Sequence, residues 1–295
     1  YEFPLEFFMN LAWYTDSLQH NNLGAYTTAW AANLFGRRHA TEIAGLISEY
    51  TRINGRCKPE LLAPGTYSLV HFGEAEKLVG VCNRMAARAD SLYAGMPASK
   101  KDAFAELVWF PVKATALVNA LYVSAEQNRL YAAQGRALTN EAAARTRSLF
   151  TADTALMGWY NRDLAGGRWN HFMDQTHIGY TTWRDPPENS LAAIPLTEIP
   201  MPETADMGVS PEGSENAWPG NGGEAILPEC DIFNRQTRYV EVFNKGTSPF
   251  TCTLHTAEPW IQVPESGTVS TEVRFPVKIN FDRLPPGRSE GSIAV

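Results

Sequence analysis

Apolar positions recur at three- and four-residue steps up to about residue 165, and at two-residue steps late in the chain. Ala75, Leu78, Val79, Cys82, Met85, Ala86, Ala89 and Leu92 fall on one face of a helix, and Gly95 with Pro97 ends that run. Ser99 stands three residues before Asp102, a capping-box-like start. The run it opens continues through Phe104, Leu107, Val108, Val112, Leu117, Leu121, Tyr122 and Leu130 to Gly135. Pro111 removes a backbone donor inside it and predicts a kink near Leu107. Thr139 restarts a helix that stops at Gly166-Gly167. Upstream, Pro4 suits a first turn, Leu18 to Asn22 breaks the pattern, Leu23 to Phe35 resumes it, and Thr41 to Asn54 is closed by Gly55. Five or six helices joined by mostly short turns predict an antiparallel bundle, with Arg56 to Phe72 as an ordered loop.

From Asp185 the character changes. Eight of the 19 prolines lie between Pro186 and Pro228, with Gly213, Gly220, Gly222 and Gly223 among them, so no long helix can form there. Tyr239 to Phe243 alternates with period two before the turn signal Asn244-Lys245-Gly246. Further strands are predicted at 250–254, 260–263, 268–275 and 277–281, and Gly291 to Val295 reads as a strand just begun. The predicted class is α+β in two domains: a helical bundle over 1–185, then a Pro/Gly-rich linker and a truncated β-sandwich over 186–295. Too few strands to close a sandwich leave an unpaired edge, and the first residues carry neither a starting Met nor a secretion signal, so the sequence reads as a fragment.

Composition narrows the class. With 44% apolar and 19% charged residues over 295 positions, the chain is too hydrophobic for disorder and long enough for two cores. Its net charge of −7 is concentrated in residues 191–295, which hold 7 Lys/Arg against 14 Asp/Glu; a phosphate-binding protein needs the opposite sign, so no nucleic-acid partner is expected. No uninterrupted apolar stretch reaches the length of a spanning helix, and no membrane partner is expected. Cys57, Cys82, Cys230 and Cys252 make neither a zinc knuckle nor a disulfide framework, and Cys82 reads as a small hydrophobe on a helix face. They say nothing about compartment.

Chemistry concentrates in residues 166–185, which gather two each of His, Trp, Arg and Asp on a loop. A metal site from His171, Asp174 and His177 has a spacing that matches no tight ligand motif, and neither metal nor cofactor is expected. A carbohydrate contact would use the flat faces of Trp169, Tyr180 and Trp183 and the guanidinium of Arg168 or Arg184 for a carboxylate. The third reading is a packed cross-brace whose Trp and His groups, with Asp174, are structural. Glu2, Glu6 and Asp174 are the carboxylates in reach of acid/base work, but Glu6 reads as the solvated face of the first helix and no pair is assigned. No Gly-x-Ser-x-Gly elbow, phosphate loop or His-Glu-x-x-His occurs. Trp13, Tyr14, Trp30, Trp109, Phe110 and Tyr160 sit at helical spacing and are expected in cores or domain contacts.

Several blocks together carry a resemblance. They are Tyr1 to Phe8, Lys58 to Leu62, Thr66 to Leu69, Phe110 to Ala114 and Gly166 to Tyr180, with Met207-Gly208-Val209, Glu212-Gly213-Ser214, Ala217 to Gly220 and Arg238 to Asn244 further on. In this order they resemble the post-barrel region of glycoside hydrolase family 115, the later blocks being similar to the start of its C-terminal sandwich. The resemblance implies an inverting α-glucuronidase that removes glucuronic acid or its 4-O-methyl ether from xylan. It implies that the catalytic carboxylates lie on a (β/α)₈ barrel upstream in the same polypeptide, so none is carried over here and this segment alone is expected to be inactive. Its expected partners are that barrel, glucuronoxylan or its oligosaccharides through the parent enzyme, and a second copy in a homodimer; the parent is expected to be secreted or periplasmic. From other classes, a carbohydrate-binding module and a structural interaction module stay open.

Overall fold

The structure, a computed structural model, describes residues 2–14 and 22–295. Most of the predicted break from Leu18 to Asn22 lies outside the described residues; Asn22 itself caps the next helix, its side chain accepting from the Ala25 N–H at 3.2 Å. The helices are α1 (Glu2–Trp13), α2 (Leu23–Phe35), α3 (Ala40–Arg56), α4 (Glu74–Gly95), α5 (Ala98–Phe104), α6 (Phe110–Gln134) and α7 (Thr139–Arg162). A helical domain precedes antiparallel, sandwich-like sheets, as the periodicities require.

Two helix details differ from expectation. Ser99 is not a cap: α5 begins at Ala98 behind Pro97, whose fixed φ already presets the entry, and no side chain caps the end. The kink expected near Leu107 takes the form of a π turn, Ala105–Trp109, in which the Phe110 N–H reaches back to the Ala105 carbonyl. One widened turn absorbs the missing Pro111 donor without ending the helical run. That run, Ala98–Gln134, is long and apolar enough to cross a membrane by length and composition, with a mean hydropathy of 1.3 over its most apolar window; 61% of the window is buried within the protein. Periodicity alone undervalued it because scattered polar residues interrupt the apolar run.

The chain forms two compact units. One comprises Tyr1–Thr66, Ala75–Val123 and Arg145–Pro195; the other comprises Tyr67–Glu74, Ser124–Ala144 and Leu196–Val295. In the first, an aromatic series links three helices: Phe3 of α1 meets Trp30 of α2 at 5.1 Å, Trp30 meets Phe35 at 5.9 Å, and Phe35 meets Phe104 of α5 at 5.5 Å. Trp30, Phe110 and Tyr160 are buried as expected. Trp13 and Tyr14 are not, at 80% and 60% exposed: α1 turns Phe3, Glu6, Phe7 and Asn10 toward α2 and leaves Trp13 off that face, while Tyr14, just past the end of α1, stands at the wall of a hollow between the two helices.

In the second unit the strands are β1 (Met207–Pro211), β2 (Arg238–Asn244), β3 (Phe250–Thr253), β4 (Ile261–Gln262), β5 (Ser266–Val269) and β6 (Glu272–Ile279). One sheet has the order β1-β2-β6-β4 and the other pairs β3 with β5, all antiparallel. Val240, Val242, Cys252, Leu254, Val269, Phe275 and Val277 form the core. The strands predicted at 268–275 and 277–281 are redivided, because Pro276 continues β6 opposite Tyr239 rather than ending it. β4 reaches only Lys278 and Ile279, so β6 is an edge at Pro276, where a missing N–H is tolerated. Of Gly291 to Val295, Ala294 forms an isolated bridge to His255.

A buried cation ties the helical segment Ser124–Ala144 to the strands of its own unit. Arg136, 2% exposed, pairs with Glu241 of β2 and, at 2.9 Å, with Glu272 of β6, while its guanidinium lies 4.1 Å from the Phe243 ring centre. Asn244, fully buried, donates to the Ser248 and Ser270 carbonyls and accepts from the Gly246 N–H, so the predicted turn is closed from within.

Candidate functional site

The loop after α7 is held by two histidine pairs. Ala165, Gly166, Gly167, His171 and Gly179 all have positive φ, so the backbone folds tightly on itself. His171 Nδ1 lies 2.6 Å from Asp174 Oδ2 at the surface, and Asn161 of α7 binds both Asp174 and the Met173 N–H. His177 Nε2 lies 3.0 and 2.9 Å from the two oxygens of Asp153, a fully buried residue of α7. Asn189 Oδ1 accepts the N–H groups of His177 and Ile178. Burial alone would lower the His177 pKa; the hydrogen bond and charge of Asp153 outweigh it and raise the pKa above the ordinary imidazole value.

The predicted sugar-contacting residues do not share one environment. Trp169 is half-buried, packed against the cluster of Phe110, Leu156, Tyr160 and Leu164, and meets Phe172 edge-on at 5.3 Å. The Tyr180 hydroxyl is 2.7 Å from Asp185, which raises its pKa, and 3.1 Å from the Thr176 carbonyl. Trp183 is 90% exposed, and Arg168 and Arg184 are exposed too. His171, Asp174 and His177 do not converge on one point: the first two pair with each other and the third with Asp153. Among the described residues, no group of three or more His, Cys, Asp or Glu is placed to hold a metal ion.

Two hollows were not legible in the sequence. One, of about 380 Å³, is lined by Tyr93, Trp109, Lys113, Leu117, Leu156 and Trp159. Its aromatic groups are already engaged: Tyr93 stacks on Trp109 at 5.1 Å, Trp159 meets Trp109 edge-on at 5.0 Å, and Lys101 lies 4.6 Å from the Tyr93 ring centre. Asp90 accepts from both Trp109 Nε1 and Lys113 Nζ. The other, of about 270 Å³, runs between α1 and α2 and mixes aromatic walls, Tyr14, Tyr26 and Trp30, with the polar groups of Glu6, Asn10 and Asn33. Glu6 is exposed as expected, yet it also accepts from Trp30 Nε1 at 3.0 Å. A further carboxylate stands outside the acid/base candidates read from the sequence: Glu106 lies in the π turn, and burial, followed by the charge of Glu2, pushes its pKa up.

Helices braced to a chemically rich loop are followed by antiparallel β layers, and the loop is held rather than open. The family read from the motifs is supported by the sequence comparison: residues 1–61 match the model of glycosyl hydrolase family 115. Among solved structures, the chain is similar to BtGH115A, described as a novel family GH115 4-O-methyl-alpha-glucuronidase with specificity for decorated arabinogalactans, with a TM-score of 0.51 and 15% identity. That match covers 99% of this chain and 43% of the other, so the chain shares a fold with part of that protein and spans less than half its length. No curated protein matches.

Proposed function

We propose that this chain is the accessory, non-catalytic C-terminal region of an inverting α-glucuronidase that removes glucuronic acid or its 4-O-methyl ether from xylan. In this reading the helices of 1–185 brace the catalytic barrel of the same polypeptide, and 186–295 begin a sandwich. The observation that carries it is the outer face of α1. Leu5, Phe8 and Met9, at 62%, 64% and 60% exposed, form a helical stripe on the segment that the family model matches. Monomeric surfaces seldom leave such a stripe open, and covering Phe8 alone stabilises a contact by about 1.5–3 kcal/mol. Bracing also suits the loop, whose His177–Asp153 and Trp169 contacts bind it to helices of its own unit. The substrate-contacting role of Arg168, Trp169, Tyr180, Trp183 and Arg184 narrows to the exposed Trp183 with its neighbour Arg184 and with Arg168.

The name of the structural relative favours a second reading of the substrate alone: the same uronic acid taken from arabinogalactan instead of xylan. The test expresses the family's barrel separately. This chain should bind it, and Phe8→Glu with Met9→Lys should weaken binding at least about tenfold. Release of the uronic acid from xylan and from arabinogalactan by the reconstituted pair identifies the substrate. Release by this chain alone overturns the accessory reading.

A further inference from the structure

The α1–α2 hollow has a donor and acceptor pattern suited to a particular ligand chemistry. Glu6 and Asn10 lie one helical turn apart on α1, and Tyr26, Trp30 and Asn33 follow the facing side of α2, with Ala29 leaving room between them. Trp30 Nε1 donates to one oxygen of Glu6, which keeps that carboxylate in place with further lone pairs to offer. Asn10 Nδ2 donates to the Tyr26 hydroxyl at 2.8 Å; the amide oxygen stays an acceptor and the phenol keeps its own proton to donate. Asn33, exposed at the same hollow, supplies an amide with both roles.

This set rejects the main competitors on chemical grounds. One carboxylate is far too few oxygens of the right charge for a calcium-like ion, and its negative charge opposes an anion. A wholly apolar ligand would cover the amide and hydroxyl groups without satisfying them. What fits is a neutral molecule with several hydroxyl groups. The volume of about 270 Å³ lies just below the usual range of ligand sites, room for a single sugar ring, and the partly exposed Tyr26 with Tyr14 gives that ring an apolar wall.

We infer that the α1–α2 hollow binds a neutral sugar unit of a polysaccharide backbone, with Glu6 and Asn10 accepting from its hydroxyls and Tyr26 donating to one. The inference rests on the reading that the parent protein handles a decorated polysaccharide, and it assigns to this hollow the undecorated backbone rather than the uronic acid. The test is NMR titration of the full chain with xylotriose, with a neutral galacto-oligosaccharide and with free glucuronic acid. A neutral saccharide should shift the Trp30 indole N–H and the Asn10 and Asn33 amide signals at millimolar concentration, and glucuronic acid should bind at least about tenfold more weakly. Tyr26→Phe and Asn33→Ala should each weaken neutral-sugar binding several-fold, and Glu6→Gln should narrow the gap between the neutral sugar and the acid. Asn33 is exposed, so its variant tests the site even where another variant disturbs α1. Absence of shifts with every neutral sugar up to tens of millimolar overturns the inference, as does equal or tighter binding of glucuronic acid. Either failure leaves barrel binding through Phe8 and Met9 untouched, so the two proposals fall separately.

Discussion

Asp153 is the residue on which the loop turns. It is fully buried, and His177, 18% exposed, is its ionisable partner. Because the folded-state pKa of His177 is raised, the stabilisation from this pair is complete below the unfolded imidazole value near 6.5 and declines as pH rises through the higher folded value. Removing the imidazole leaves a buried carboxylate without its cation, so His177→Ala should cost about 3 kcal/mol at pH 6 in urea unfolding, with a smaller loss at pH 9. A loss that is small and equal at both pH values would show that the pair does not hold the loop. The sequence showed a cluster of polar and aromatic residues at 166–185 but not which would pair. Asp153 stands 24 positions before His177, and no local spacing rule connects them. Trp183 and Trp169 read alike as flat aromatic faces, and only their burial separates them.

At the scale of elements, the cation Arg136 joins a helical segment to β2 and β6 within one unit. Its two carboxylates titrate apart. Burial opposes ionisation of Glu241, but Arg136 and Arg274 overcome it and hold the carboxyl below the ordinary range; Glu272, penalised by burial and by the charge of Glu241, is pushed above it. Stability from Glu241 is therefore present above its unfolded value and lost as pH falls through its folded value, whereas ionising Glu272 works against folding. Arg136→Met should cost about 3 kcal/mol, because it leaves Glu272 half-buried beside Glu241 with only Arg274, bound to Glu241, to offset their repulsion, and adding Glu241→Leu and Glu272→Leu should recover most of it. Thermal and urea unfolding measure both; a single-variant cost below about 1 kcal/mol would show that the network holds little. Element types were legible wherever periodicity was long, as at Leu23–Phe35 and Glu74–Gly95. They were obscured where proline spoke against a strand: β1 lies in a proline-rich stretch, and β6 carries Pro276 at an edge where its ring does no harm.

For the molecule as a whole, the compact units are not contiguous in sequence, since Ser124–Ala144 groups with Leu196–Val295. Composition changes at Asp185, but no compositional signal marks Ser124. The contacts inside the second unit explain the grouping. Asn128 donates to the Thr197 carbonyl and accepts its N–H, Asn140 does the same with Ile199, and Arg136 holds the strands. A chain ended at Pro195 would lose these partners and open the three side chains to water, with Asn128 keeping the Thr139 carbonyl and Arg136 keeping Gln134. It should therefore unfold at lower urea than the full chain, and Arg136→Met should destabilise the full chain while changing the shortened form little. An equal cost in both forms would argue against this account.

The π turn at Ala105–Trp109 is equivalent to one residue spliced into an otherwise regular α-helix. A relative lacking that residue would have everything from Phe110 onward swung by about 100° about the helix axis. Lys113 would then leave Asp90, and Leu117 would leave the wall it now forms. An alignment that slides across residues 105–109 without a gap would thus equate side chains pointing in different directions, and one codon's insertion or deletion would decide which surface this helix offers.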